Sequence, residues 1–232
     1  MTQPALSQMN LSPEIDALVI EDDVPVDNFY SAKLQRLLLE ALYSSWGLFG
    51  LRRSFLADAD IGIFSSVRQP PIVPDVFVSL DVEAPKDFRE KKNRTYLIWE
   101  FGKPPDVVIE IVSNKEGNEL GSKLHDYARI GIAYYVVFDP LQQLGETTLQ
   151  IFGLREGQYV LLEEPWLAQV GLGLTLWEGE FEGVEDIWLR WCDLNGTLLP
   201  TGIERAEVAE AKAAQLAERL RSLGVDPDAP AD

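Results

Sequence analysis

Cysteine and histidine are nearly missing from this chain: Cys192 and His125 are the single examples among 232 residues. One thiol excludes an internal disulfide framework and a zinc site built from several thiolates of one chain. One imidazole excludes any mechanism that needs two within a subunit. No apolar run approaches the roughly 18 residues that a membrane-spanning helix requires. The first twenty residues lack the basic-then-apolar order of a secretory signal. The GxxxxGK[ST], HExxH and GxSxG patterns are absent, which argues against a phosphate-loop ATPase, a zincin and an elbow-type serine hydrolase. A reduced, cytoplasmic, soluble protein is the expectation that remains.

Positive charge is also scarce. There are 20 Lys and Arg against 38 Asp and Glu, a formal net charge of −18. Such an excess repels phosphates at long range and speaks against non-specific coating of DNA. The excess is uneven, however. Residues 31–130 carry fourteen basic and fourteen acidic groups, so the whole net charge lies outside them. The basic groups of that stretch gather in PKDFREKKNRTYLIWEFGK, as Lys86, Arg89, Lys91, Lys92, Arg94 and Lys103. This cluster reads either as a phosphate-holding loop or as a solvated loop on an acidic protein.

With 46% apolar and 25% charged residues, the chain has the composition of one globular domain with appendages. Residues 1–27 read as an irregular lead-in. Asp27 or Asn28 can cap a helix through FYSAKLQRLLLEALYSSWG, with Leu34, Leu37, Leu38, Ala41 and Leu42 on one face and Gly47 as its stop. Short β-like segments follow at 55–67 and 73–82. In the second, Val76, Val78 and Leu80 point one way while Asp75, Phe77 and Ser79 point the other. PPDVVIEIVSN at 104–114 is a strongly apolar strand. A helix starting within 114–119 and ending at Gly131 comes next, with Leu120, Leu124, Tyr127 and Ala128 as its stripe. AYYVVFDP at 133–140 is a second buried strand. Together these predict a strand–helix–strand unit at the centre of a sheet. A hairpin turning at Glu156-Gly157, further short strands, a charged helix at 203–223 with a thin apolar seam, and a tail at 224–232 complete the reading.

Two carboxylates stand out because they interrupt apolar strands: Asp75 and Glu110. Burying an ionised carboxylate costs several kcal/mol unless a cation or donors compensate. On adjacent strands the two can share a face and a divalent ion, since Mg²⁺ is typically held by one or two carboxylates plus waters and phosphate oxygens. Lys123, on the following helix beside Tyr127, can reach over them. Each has an alternative. Asp75 can bond loop amides, Glu110 can face solvent at an edge, and Lys123 has Glu119 four residues before it for a surface ion pair of about 0.3–0.5 kcal/mol. His125 is expected in solvent. Asp106 lies about 13 Å along the strand from Glu110, which suits a turn or a supporting role. Asp139, before Pro140, reads as a strand-end turn residue.

PDVFVSLDV, followed by PPDVVIEIVSNKEGNELGSKLHDYARIGIAYYVVFDP, resembles the Uma-two family, catalogued as restriction endonucleases and long as a domain of unknown function. That family belongs to the PD-(D/E)XK nuclease superfamily. The resemblance covers about residues 28–190. It implies an α/β (α+β) fold with a restriction-endonuclease-like core: a central mixed β-sheet flanked by helices, with extra β-hairpins and a C-terminal helix. It implies Asp75 and Glu110 as metal-binding acids, the main-chain carbonyl of Ile111 as a further ligand, and Mg²⁺ (or Mn²⁺) as the ion, with no organic cofactor. The superfamily's Lys should stand at position 112, which is Val here; the family moves that role to the next helix, at Lys123. Some superfamily members place another carboxylate on the first helix, where this chain has Glu40. The expectation is therefore a metal-dependent endonuclease acting on DNA, a homodimer because duplex cleavage needs two sites, with Lys91, Lys92 and Arg94 steering the phosphate backbone. The competing expectation is a non-catalytic nucleic-acid or protein-binding module on a decayed nuclease fold.

Overall fold

The computed structural model of the chain describes residues 28–113 and 118–226. The lead-in at 1–27, Asp27 as a cap, residues 114–117 and the tail beyond 226 lie outside the described residues. The first helix, α1 (Phe29–Ser45), starts where Asn28 accepts hydrogen bonds from the Tyr30 and Ser31 amides at 3.0 and 2.9 Å. Two otherwise orphaned helical N–H groups are satisfied in this way. Its stripe of Leu34, Leu37, Leu38, Ala41 and Leu42 is fully buried. Gly47 does not end it. The chain passes into a 3₁₀ turn at Trp46–Phe49, and Gly50 supplies the left-handed residue (φ 73°) that breaks the coil.

The strands follow in order: β1 (Phe55–Ala59), β2 (Ile63–Phe64), β3 (Val76–Leu80), β4 (Tyr96–Leu97), β5 (Val107–Ile111), β6 (Tyr134–Phe138), β7 (Leu149–Arg155), β8 (Gln158–Leu161), β9 (Trp166–Leu167), β10 (Leu172–Phe181) and β11 (Val184–Cys192). Helical turn α2 (Ile98–Phe101) follows β4, α3 (Leu124–Ile130) joins β5 to β6, and α4 (Gly202–Ser222) closes the series. A six-stranded sheet has the order β1-β3-β5-β6-β7-β8, with β5 and β6 parallel and the other pairs antiparallel. It is a mixed sheet with helices packed on it, and the β5–α3–β6 unit occupies its centre. The segment expected as one strand at 55–67 is two. Asp60 takes a left-handed φ of 55°, which ends β1, and β2 pairs with β4 in a separate ribbon.

Alternation divides the sheet residues between two cores. Val76, Val78, Leu80, Val107, Ile109 and Ile111 face α1, where Leu172, Trp188 and Trp191 from the β9–β11 sheet close the same core. Phe77, Val108, Val112, Tyr135 and Val137 face the other way, against Tyr127 of α3 and Tyr96 of β4. The period of two along a strand assigns each residue its face, and both faces are covered. The basic stretch is not a plain loop, since it contains a 3₁₀ turn at Lys91–Arg94, β4 and α2. Helix α3 is shorter than expected. A π-type turn at Glu119–Lys123 precedes it, with Gly121 at non-helical φ −117°, ψ −110°. That kink turns Leu120 out of the stripe, leaving it 41% exposed. Gly131, at φ 86°, ends the helix.

Candidate active site

Glu110 sits on β5 between Val108 and Val112, on the face that α3 covers, and is 1% exposed. Lys123 and Tyr127 are one helical turn apart, so they project from the same side of the helix. Both reach Glu110. The Tyr127 hydroxyl donates to Oε1 at 2.6 Å, and the Lys123 Nζ donates to Oε2 at 2.9 Å. The carboxylate that looked costly in the sequence is therefore met on each oxygen. Burial pushes the Glu110 carboxyl up, and Lys123 and Tyr127 oppose that rise. Burial pulls Lys123 down, but Glu110, then Glu119 and Asp75, outweigh it and hold its proton above the ordinary 10.5. Burial, then Glu110, drives the Tyr127 phenol well above its usual value.

Asp75 comes to the same place by sheet register. The antiparallel β3–β5 ladder ends where Val76 pairs with Ile109, which leaves Asp75, the residue before β3, next to the end of β5. Its Oδ2 accepts a hydrogen bond from the Ile111 amide. Asp75 thus meets an amide of strand β5, one residue along from Glu110, rather than the loop amides of the alternative reading. Its charge is felt at Lys123, Tyr127 and Tyr135. The fold brings Asp75, Glu110, Ile111 and Lys123 together.

The basic residues lie elsewhere on that side of the sheet. Asn93, Arg94, Thr95, Tyr96 and Phe88 wall a cavity of about 270 Å³ against Leu56 and Phe77. Phe77 is on the Glu110 face, so this cavity and the carboxylates share a side, with the basic turn beside β1 and β3. Arg94 is exposed but spends its Nε and Nη2 donors on the Phe88 and Arg89 carbonyls, at 2.9 and 3.1 Å. Lys92 lies 3.4 Å from Glu90 and 3.9 Å from Glu100. Lys91 begins the same turn and is half-buried.

Other acids find structural work. Asp106 accepts from the Leu80 amide at 2.7 Å and pairs with Lys103. Asp139 accepts from the Gln143 and Leu144 amides and shapes the turn after β6. Glu40 lies across the sheet on α1, where Oε1 accepts from Ser44 and from the Gly202 amide at the start of α4. It belongs to the opposite face from Glu110 and cannot join that site. His125 is exposed.

Sequence reasoning missed two participants. The Lys123-x₃-Tyr127 spacing held the signal for the phenol, which the stripe reading treated as apolar. Glu119, taken as one end of a surface ion pair, is 5% exposed. Its Oε1 lies 3.6 Å from Lys123 Nζ, and its buried Oε2 has no hydrogen-bond partner among the described residues. Lys123 therefore stands between two buried carboxylates.

Among the described residues, no three His, Cys, Asp or Glu side chains converge as a metal cage. The carboxylates of Asp75 and Glu110 are oxygen donors of the kind that Mg²⁺ takes alongside water and phosphate oxygens.

No curated protein matches the chain. It is similar to a solved structure titled a putative nuclease belonging to DUF820, from Anabaena variabilis ATCC 29413. The two are 17% identical over 61% of this chain and 71% of that one, with a TM-score of 0.41. So distant a likeness adds nothing to the fold already visible in the strands. A closer correspondence is with a family whose model, described as "Putative restriction endonuclease", matches residues 19–178, and the chain belongs to that family, Uma2.

Proposed function

We propose that this protein is a metal-dependent endonuclease that hydrolyses phosphodiester bonds of DNA. The observation that carries the reading is a carboxylate buried at the sheet centre, Glu110, met by a lysine and a tyrosine and flanked by Asp75. Structural carboxylates are rarely buried in this way without a charge to compensate them. Asp75, Glu110 and the Ile111 carbonyl would hold Mg²⁺ or Mn²⁺. A divalent ion there supplies Lewis-acid activation of water and neutralises charge on the phosphate.

The protein's own groups divide the remaining work. Tyr127 fixes the Glu110 carboxylate by its 2.6 Å bond and leaves the other oxygen to face Lys123. Lys123, 2.9 Å from Glu110, would serve as a cation and hydrogen-bond donor toward a phosphate oxygen. Lys91, Lys92 and Arg94 would contact the DNA backbone, and a homodimer would present one site to each strand.

Nicking of supercoiled DNA with Mg²⁺ or Mn²⁺ tests the reading. Wild type is expected to nick, Glu110→Gln to lose the activity, and Lys123→Ala to fall about 10²-fold, the order expected for one charge-stabilising donor. Folding of each variant is checked by circular dichroism. Wild type that binds DNA without cutting it under either metal would replace this reading with the non-catalytic binding module.

A further inference from the structure

Glu119 is the buried acid that the proposed chemistry leaves without a task. It is 5% exposed, and one of its oxygens is buried with no hydrogen-bond partner among the described residues. Its other oxygen lies 3.6 Å from Lys123 Nζ, whereas Glu110 holds the same ammonium at 2.9 Å. The main chain of Glu119 is pinned from the core, because the Tyr135 hydroxyl donates to its carbonyl at 3.0 Å. Its carboxylate is thus held beside the ammonium, with one oxygen unmatched among the described residues.

A cation shared by two unequal partners moves when one of them is taken. A divalent ion bound to Asp75 and Glu110 would repel Lys123 and compete for the Glu110 oxygen that the lysine now contacts. We propose that Glu119 is a positioning residue, a second docking place that receives the Lys123 ammonium when a divalent cation takes up the Asp75–Glu110 pair. The transfer requires a small swing of Nζ from Glu110 toward Glu119. It would keep the lysine charged and at the edge of the site, facing the phosphate, instead of expelling it into solvent. Glu119 would touch neither metal nor substrate, acting only through Lys123. This inference rests on the metal-binding reading above.

A double-mutant cycle read by calorimetric titration with Mn²⁺ alone separates this role from simple charge. The four proteins are wild type, Glu119→Gln, Lys123→Gln and the double variant. Glutamine at 123 keeps a hydrogen-bond donor beside Glu110 while removing the competing charge. Glu119→Gln is expected to weaken Mn²⁺ binding about tenfold in the wild-type background, and by less than about twofold when Lys123 is already Gln, because contacting groups couple while independent ones add. Glu119→Asp, which keeps the charge on a shorter arm, should fall between and serves if the Gln variant does not fold. An equal penalty in both backgrounds would overturn the proposal, since Glu119 would then act through its own field. So would unchanged affinity in Glu119→Gln. If wild type binds no Mn²⁺, the metal-binding reading itself fails, and that outcome is distinct from a wild type that binds while Glu119 proves irrelevant.

Discussion

The two faces of the central sheet are built from alternate residues of the same strands, yet they do opposite things. On the α1 side, Val76, Val78, Ile109 and Ile111 pack in one apolar cluster with Leu34, Leu38 and Trp191. On the α3 side, the intervening residues are as well covered, but Glu110 lies among them with Lys123 and Tyr127 closing over it. A dry face derives its stability from area and close packing. A face with an embedded carboxylate depends on a few directed partners, each of which leaves another stranded if removed. Apolar packing and directed polar pairing are therefore separated by one residue along the strand.

Mutation should expose that difference, with the largest effect on the dry face. Leu38→Ala leaves a cavity under a side chain that is 0% exposed and should cost about 2–5 kcal/mol in chemical denaturation. Its effect should add to that of a distant core truncation, and metal affinity per folded molecule should not change. On the other face, Lys123→Ala strands Glu110 and should cost about 2 kcal/mol, less than for a fully buried pair because the lysine side chain is 30% exposed. Adding Glu110→Gln should restore most of that loss. Simple additivity of the pair, measured in the same denaturation cycle, would erase the proposed contrast.

Smaller effects follow from pH. Lys123 binds its proton more tightly folded than unfolded, so its contribution is complete below pH 10.5 and fades as pH rises through the higher folded value. Tyr127 acts in the same direction. The difference in Tm between wild type and Lys123→Gln should therefore shrink above pH 10.5, which isolates the lysine. The smallest effect belongs to the rim. Hydrogen bonds from Arg36 and then Lys33 hold the Glu182 carboxyl down to about 2, tying the β10–β11 turn to α1. That contribution is present above pH 4.5 and is lost as pH falls toward 2. The contact is solvent-facing, so high salt should remove the difference between wild type and Glu182→Gln while leaving the Lys123 effect nearly intact.

Periodicity made much of this architecture legible. The stripe of α1, the opposed faces of β3 and β5, the central β5–α3–β6 unit and the Glu156-Gly157 hairpin all follow from spacing and turn chemistry. The anomaly of Glu110 was legible as well, because a carboxylate inside VVIEIV has to be explained. Boundaries were harder. Asp60 and Gly50 take left-handed conformations that no hydrophobic pattern announces, and the kink at Gly121 displaced Leu120 from its expected stripe.

What the chain determines by itself is local: which residues form elements, which face each presents, and which polar groups are out of place. Neighbours along a strand or helix are set by covalent geometry, so that information is present in the order of residues. Only the tertiary structure decided that Asp75 bonds the Ile111 amide next to Glu110, that Glu40 lies across the sheet from them, and that Glu119 is buried rather than exposed. Those relations depend on strand register and on where a kinked turn docks. They arise from packing between segments remote in sequence, and no spacing within one segment encodes them.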